Sequence, residues 1–183
     1  MNIIVAITGA SGAIYSRQVL DLLIASTEVE HVALIMSSHA EEVIQQEGVT
    51  LPDDPRIVTY SNDDMWSSVA SGSARWDAMV VVPASMGTVA RIASGVSRTL
   101  IERAADVMLK ERRRLIVVVR EAPYSLIHLR NMTTLSEAGA IIIPASPAFY
   151  LGAETIDELC LRLSERVVEL TGLAVSHPRW GDR

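Results

Sequence analysis

Four stretches of this chain, NIIVAI (2–7), AMVVVP (78–83), LIVVV (115–119) and AIIIP (140–144), are apolar almost without a break. A strand with one face in water alternates apolar and polar residues. Strands this uniformly apolar are covered on both faces, as in parallel sheets sandwiched between helices. Further short β-branched runs alternate with longer helix-like segments. The pattern predicts strands at about 2–7, 31–36, 56–60, 77–82, 115–120 and 140–144, and helices at about 12–26, 38–47, 86–93, 98–112, 125–138 and 154–171. Ser38 with Glu41 fits a capping box at the start of the second helix. Strand–helix alternation implies right-handed crossovers. The expected fold is therefore α/β: a single-domain, doubly wound (Rossmann-like or flavodoxin-like) three-layer sandwich with a mainly parallel sheet. Residues 1–175 form the domain, and 176–183 form a tail expected to pack on a neighbouring subunit.

The chain has 183 residues, enough for one sizeable core. No apolar run reaches the roughly 18 residues of a membrane span, and no basic leader precedes the first strand. The single cysteine, Cys160, excludes an internal disulfide and fits a reducing compartment, so a cytoplasmic location is expected. A formal charge of −6 and an aromatic content of only 4% disfavour nucleic acid. Fourteen of the sixteen Lys and Arg residues nevertheless lie after residue 74. Basic residues concentrated within an acidic protein suit a small anionic ligand.

In this fold class ligands sit beyond the carboxyl ends of the strands. Those ends read TGASGA, MSSH, PASMGT, REAPYS and PASPAFY, rich in Ser and Thr and punctuated by prolines that should stop the strands. In GASGAI, Gly9 is expected to make the tight turn and Gly12 to let backbone approach a ligand, with the following helix start attracting an anion. A dinucleotide would want an acid after the second strand. That position reads Ser37-Ser38-His39, so a mononucleotide fits better. No lysine follows the glycines, so there is no Walker loop. Ser85 and Thr88 mark a second strand-to-helix turn, where Ser85 serves either a ligand or a helix cap.

ERAADVMLKERRR is amphipathic, with Glu102, Arg103, Asp106 and Lys110 on one stripe. It is either a solvated salt-bridged face or a cationic stripe facing a neighbour's site. In VVVREAPYS a charge pair, Arg120 and Glu121, stands where a buried strand emerges, a place where a carboxylate can be tuned for proton transfer. The four histidines show no metal-ligand spacing. No G-x-S-x-G elbow is present. His128 reads as a structural or capping residue.

TGASGAIY, MSSHAEEVIQQE, ASGS, PASMGT, LIERAADVMLKERR, VVVREAPYSLIHLRNM, GAIIIPASPAFY and the terminal HPRW together resemble the UbiX-type flavin prenyltransferases of the flavin-binding decarboxylase-like fold group. The resemblance implies a flavin-binding domain that takes reduced FMN as substrate. It implies transfer of a dimethylallyl group from dimethylallyl monophosphate, without a metal, to give prenylated FMN for a partner UbiD-type decarboxylase. It also implies a homododecamer with sites where subunits meet. Carried over by position, Gly9, Ala10, Ser11, Ser37, Ser85, Met86, Gly87, Thr88 and Arg120 would bind FMN. Tyr150 and Arg166, with Arg103 and Lys110 from another subunit, would bind the donor phosphate. Glu121 would protonate the departing phosphate or steer protons, Glu47 would assist proton handling, and Ser11 would join that relay. Oriented Arg and Lys side chains can neutralise a leaving phosphate, and an allylic cation needs a dry apolar wall.

The chain departs from the family in reading PAS for the common PCS, and its Trp66 is one position out of register for shielding a cation. Two other functions stay open. One is an FMN-dependent decarboxylase of the peptidyl-cysteine or phosphopantothenoylcysteine type, against which stand Met86-Gly87 in place of an asparagine and the lack of histidine between His39 and His128. The other is a non-catalytic flavin carrier, in which Glu121 and Arg166 would be dispensable.

Overall fold

The computed structural model describes residues 1–150, 152–176 and 181. The six expected strand segments form β1 (Asn2–Ile7), β2 (His31–Met36), β3 (Ile57–Tyr60), β4 (Ala78–Ala84), β5 (Arg114–Val119) and β6 (Ile141–Pro144). They pair throughout in parallel, in the order β3-β2-β1-β4-β5-β6. The order reverses direction between β1 and β4. This switch point opens a crevice at the carboxyl ends of those two strands, where such sheets bind ligands.

The helices are α1 (Ala13–Ala25), α2 (Ala40–Gln46), α3 (Met86–Ala93), α4 (Leu100–Lys110), α5 (Leu126–Glu137) and α6 (Ile156–Leu170), with a 3₁₀ turn at Ser68–Ala70. Alternate residues of each strand serve opposite faces. Ile3, Val5, Ile7, Val80 and Val118 pack with Val19, Leu20 and Leu23 of α1 and with Leu163 and Val167 of α6. Ile4, Ala6, Val81 and Val117 pack with Val89 of α3, with Leu100, Ala104 and Met108 of α4, and with Leu135 of α5. These residues are all buried, each large one contributing about 1.5–3 kcal/mol relative to exposure.

Three sequence expectations change. Pro83 does not stop its strand: β4 runs on to Ala84, with a register shift against β5 between Val81 and Ala84. A proline has no N–H to give the ladder, but the Pro83 carbonyl accepts from the backbone N–H and the side-chain hydroxyl of Thr8. Ser38 does not cap α2; the cap position is His39, without a side-chain cap. Capping boxes stand instead at Thr155 with Glu158 and at Ser125 with His128, whose Nδ1 accepts from the Ser125 amide, so His128 is indeed a capping residue. The α4 stripe is divided. Glu102 turns inward and is buried, while Arg103 pairs with Asp106 and Lys110 with Glu111 on the outside.

Candidate functional site

The turn after β1 depends on Gly12, whose φ of +115° lies in the left-handed region. Gly9 is needed for another reason. A Cβ there would stand 2.8 Å from that of His39, so the missing side chain lets the start of α2 lie against the turn. Gly12 rather than Gly9 thus supplies the left-handed turn, and Gly9 allows a close approach by α2.

Glu47 follows α2 directly and reaches back to this turn. Its carboxylate accepts from Gly12 N–H at 2.9 and 3.2 Å and from Ala13 N–H at 2.7 Å. The Ser11 hydroxyl donates to it as well. Burial would raise the Glu47 carboxyl, but these three donors and the charge of Arg120 outweigh it and hold it below the usual carboxylate range. The anion position at the start of α1 is therefore filled by the protein's own carboxylate. With its proton committed to Glu47, Ser11, which is exposed, presents lone pairs outward. Arg120, the first residue beyond β5, is tied by its amide to the Ala84 carbonyl at 3.2 Å. Its charge acts on Glu47, while Glu121 accepts from the Ala122 amide at 3.0 Å. The expected Arg120–Glu121 charge pair is thus a group of Ser11, Glu47 and Arg120, with Glu121 the next residue along.

At the second turn, Ser85 N–H donates to Thr8 Oγ1 at 2.8 Å, which ties the ends of β1 and β4 together. Ser85 occupies the N-cap position of α3, but its hydroxyl does not cap; it lies 3.1 Å from Thr88 Oγ1. Arg91 donates to that same Thr88 oxygen at 3.1 Å and to the carboxylate of Glu102. Burial would raise the Glu102 carboxyl, but Arg91 and the amides of Arg98 and Thr99 hold it low. Met86 turns its side chain into the core, so only its backbone can meet a ligand. Gly87 is exposed, and a Cβ there would come 3.3 Å from an Arg91 nitrogen.

Ser37 follows β2 directly, with its amide on the Ile7 carbonyl at 2.9 Å. It borders a cleft of about 360 Å³ shared with Thr88, Arg91, Arg98 and Asn62. A second cleft of about 400 Å³ continues from Ser37 and Ser38 toward Thr59 and Tyr60.

The expected donor-phosphate residues lie elsewhere in the chain. Arg103 donates to the Ala70 carbonyl and to Asp106 on the outer face of α4, and Lys110 sits at the end of that helix, just before β5 begins. Arg166 pairs with Glu169 on the exposed side of α6. It stands five residues before Thr171, whose carbonyl meets Arg114 at the start of β5. Lys110 and Arg166 thus sit toward the amino end of the sheet, away from their own chain's rim. Tyr150 follows β6 and is 66% exposed. Trp66 is 98% exposed, so the described residues of its own chain do not bury it.

Thr8, Arg91, Asn62 and the inward Glu102 escape a linear reading as site residues. Their signals are present in the sequence: a Thr beside the glycine turn, Ser85, Thr88 and Arg91 spaced by three on one helix face, and a Thr99–Glu102 capping pair. Among the described residues no His, Cys, Asp or Glu group could hold a metal ion, and no helix is long and apolar enough to cross a membrane.

Residues 1–167 match the Flavoprotein family. The flavin prenyltransferase UbiX of Methanocaldococcus jannaschii is 44% identical over 185 residues, covering 99% of both chains. The crystal structure of AnUbiX (PadA1), in complex with FMN and dimethylallyl pyrophosphate, superposes with a TM-score of 0.87 at 42% identity, covering 98% of each chain. A dodecameric FMN-dependent UbiX-like decarboxylase from Escherichia coli O157:H7 gives a TM-score of 0.90 at 38% identity, covering 98% of this chain and 99% of that one. Identity at this level over the whole length, on a sheet whose switch point carries the described rim, has one meaning: the chain belongs to the Flavoprotein family, among its UbiX flavin prenyltransferases.

Proposed function

We propose that this protein transfers a dimethylallyl group from dimethylallyl monophosphate to reduced FMN and releases prenylated FMN to a UbiD-type decarboxylase in the cytoplasm. The observation that carries the reading is the division of anion sites at the rim. Glu47 occupies the start of α1, whereas the cleft bordered by Ser37 and Thr88 is open and lined by Arg98, with the Arg91 guanidinium behind it committed to Thr88 and Glu102. A flavin phosphate fits that cleft. The ring then extends toward Ser11, Ser85 and Arg120, with Gly9, Ala10, Met86 and Gly87 offering backbone to it. The flavin supplies the nucleophilic ring on which the new carbon skeleton is built.

The chain's residues do the rest. Departure of an allylic phosphate needs its growing charge neutralised, which Arg103, Lys110, Tyr150 and Arg166 do in place of a metal. Arg103, Lys110 and Arg166 reach the rim from neighbouring copies. Glu121 beside the rim delivers a proton to the leaving phosphate. Assembly is supported by the exposure of several large apolar side chains, Leu126, Ile127, Phe149 and Ile156, and by the dodecameric state of the Escherichia coli relative. Most of the tail, including His177 and Trp180, lies outside the described residues.

Anaerobic incubation with reduced FMN and donor, followed by mass spectrometry of the released flavin, tests the reading. The expected product is heavier by one C5 unit. An unchanged flavin identifies a carrier, and carbon dioxide release from a peptidyl-cysteine or phosphopantothenoylcysteine substrate identifies a decarboxylase. Because the AnUbiX complex holds the diphosphate, both donors are supplied in parallel; turnover with the monophosphate is expected. Glu121→Gln should bind FMN normally and turn over about 100-fold more slowly. Wild-type turnover by this variant would remove Glu121 from proton transfer.

A further inference from the structure

The polar groups behind the second turn form a chain whose direction can be worked out proton by proton. A guanidinium only donates, so Thr88 Oγ1 accepts from Arg91 at 3.1 Å. Thr88 is 3% exposed, and its own proton must find a protein acceptor. Its other partner is Ser85 Oγ at 3.1 Å. Were Ser85 to donate to Thr88 instead, the Thr88 proton would be buried without an acceptor. The favoured direction is Arg91 to Thr88 to Ser85. The Ser85 amide is already committed to Thr8 Oγ1, which in turn donates to the Pro83 carbonyl at 2.7 Å. The one polar hydrogen left on Ser85 is its hydroxyl, half-buried at the rim.

We infer that Arg91, held by the buried carboxylate of Glu102, is a positioning residue that orients the Thr88 hydroxyl so that Ser85 Oγ–H is presented as a fixed donor to an acceptor atom of the flavin. Arg91 itself touches no flavin atom; it acts through Thr88. The missing Cβ of Gly87 serves the same arrangement, since that atom would crowd Arg91 at 3.3 Å. The inference rests on the reading that a flavin occupies this rim. It adds that the donor direction of Ser85 is set from α4, by way of Glu102 and Arg91, and not by the ligand.

The test uses the full chain and FMN, with equilibrium titration, the position of the flavin's long-wavelength absorption band and thermal melting read together. Ser85→Ala should weaken FMN about 5- to 10-fold, the worth of one hydrogen bond, and shift the band. Thr88→Val keeps the shape but lacks the hydroxyl; it should reproduce both effects, and Thr88→Ser should restore wild-type behaviour. Arg91→Met should match Thr88→Val in the wild-type background and add nothing to Ser85→Ala, because all three act on one hydrogen bond. Arg91→Met exposes Glu102 to the loss of its partner; should it fail to fold, the Thr88→Val and Thr88→Ser pair decides alone. If Ser85→Ala weakens FMN while Thr88→Val leaves affinity and band unchanged, the relay is refuted and the flavin site stands. If Ser85→Ala itself changes nothing, the placement of the flavin fails and the relay with it.

Discussion

Glu47 shows how one side chain can decide where an anion binds. Against the opposing effect of burial, three donors and a nearby guanidinium favour its charged form, so its folded carboxyl lies below the unfolded one. A lowered carboxyl contributes stability that is present above the ordinary Glu range, near 4.5, and is lost as pH falls through the lowered folded value. Melting temperature should therefore fall with pH below that range, and Glu47→Gln should flatten this acid limb while leaving the neutral-to-alkaline limb parallel to wild type. Identical acid limbs in the two proteins would mean that the carboxylate is not anchored. Burial acts in the same direction on Tyr15 but without opposing donors: its phenol is pushed up by desolvation and by its contact with Cys160, so it stays protonated and plays no part in that titration.

At the scale of elements, strand positions are legible because a short, uniformly apolar run suits little besides a strand covered on both faces. Observed ends differ from expected ones by at most two residues, as at β4, where Pro83 reads as a stop and is not one. The second strand-to-helix turn is legible as a place, since Ser85 and Thr88 stand out in an apolar context. Its wiring is not. Arg91 and Glu102 meet across two helices eleven residues apart, and nothing in a linear reading turns Glu102 inward when 102, 106 and 110 share a helical stripe. Ser38 fails as a cap because α2 starts after His39, where Gly9 admits it. Two substitutions probe the elements. Ile116→Ala, at a fully buried position of β5, should cost about 2–5 kcal/mol in denaturant unfolding. Thr155→Ala, at the cap of α6 where the Thr155 hydroxyl accepts from Glu158 N–H at 3.1 Å, should cost about 1 kcal/mol. Equal losses would mean that the sheet interior is far looser than its burial implies.

The whole molecule must reconcile a rim at the carboxyl end of the sheet with cations that run toward its amino end. Resemblance alone ties Arg103, Lys110 and Arg166 to the donor, and a single chain gives no geometric reason to join them to Ser11 or Arg120. A composite site between copies does. Coexpressed Arg103→Ala and Arg120→Ala chains, each inactive alone, should then regain about a quarter of the wild-type sites in randomly mixed symmetric oligomers. No recovery would place both arginines in one chain's site. Arg166→Ala should raise the KM for the prenyl donor at least 10-fold with FMN affinity unchanged, as expected of a residue that binds the donor alone. A matched loss of FMN affinity would return Arg166 to the flavin.

The contact between Gly9 and His39 gives the first turn a mechanical side. Helix α2 is flanked by His39 at its start and Glu47 at its end, so it works as a short lever that rests on a residue without a side chain, Gly9, at one tip and carries a charged hand at the other. A methyl group at Gly9 would have to lift the near tip, because 2.8 Å is closer than two such carbons come. The far tip would then pull the carboxylate off the amides of Gly12 and Ala13. Gly9→Ala would in this way unplug the start of α1 without touching Glu47, and convert a socket reserved for the protein's own charge into one open to a ligand's.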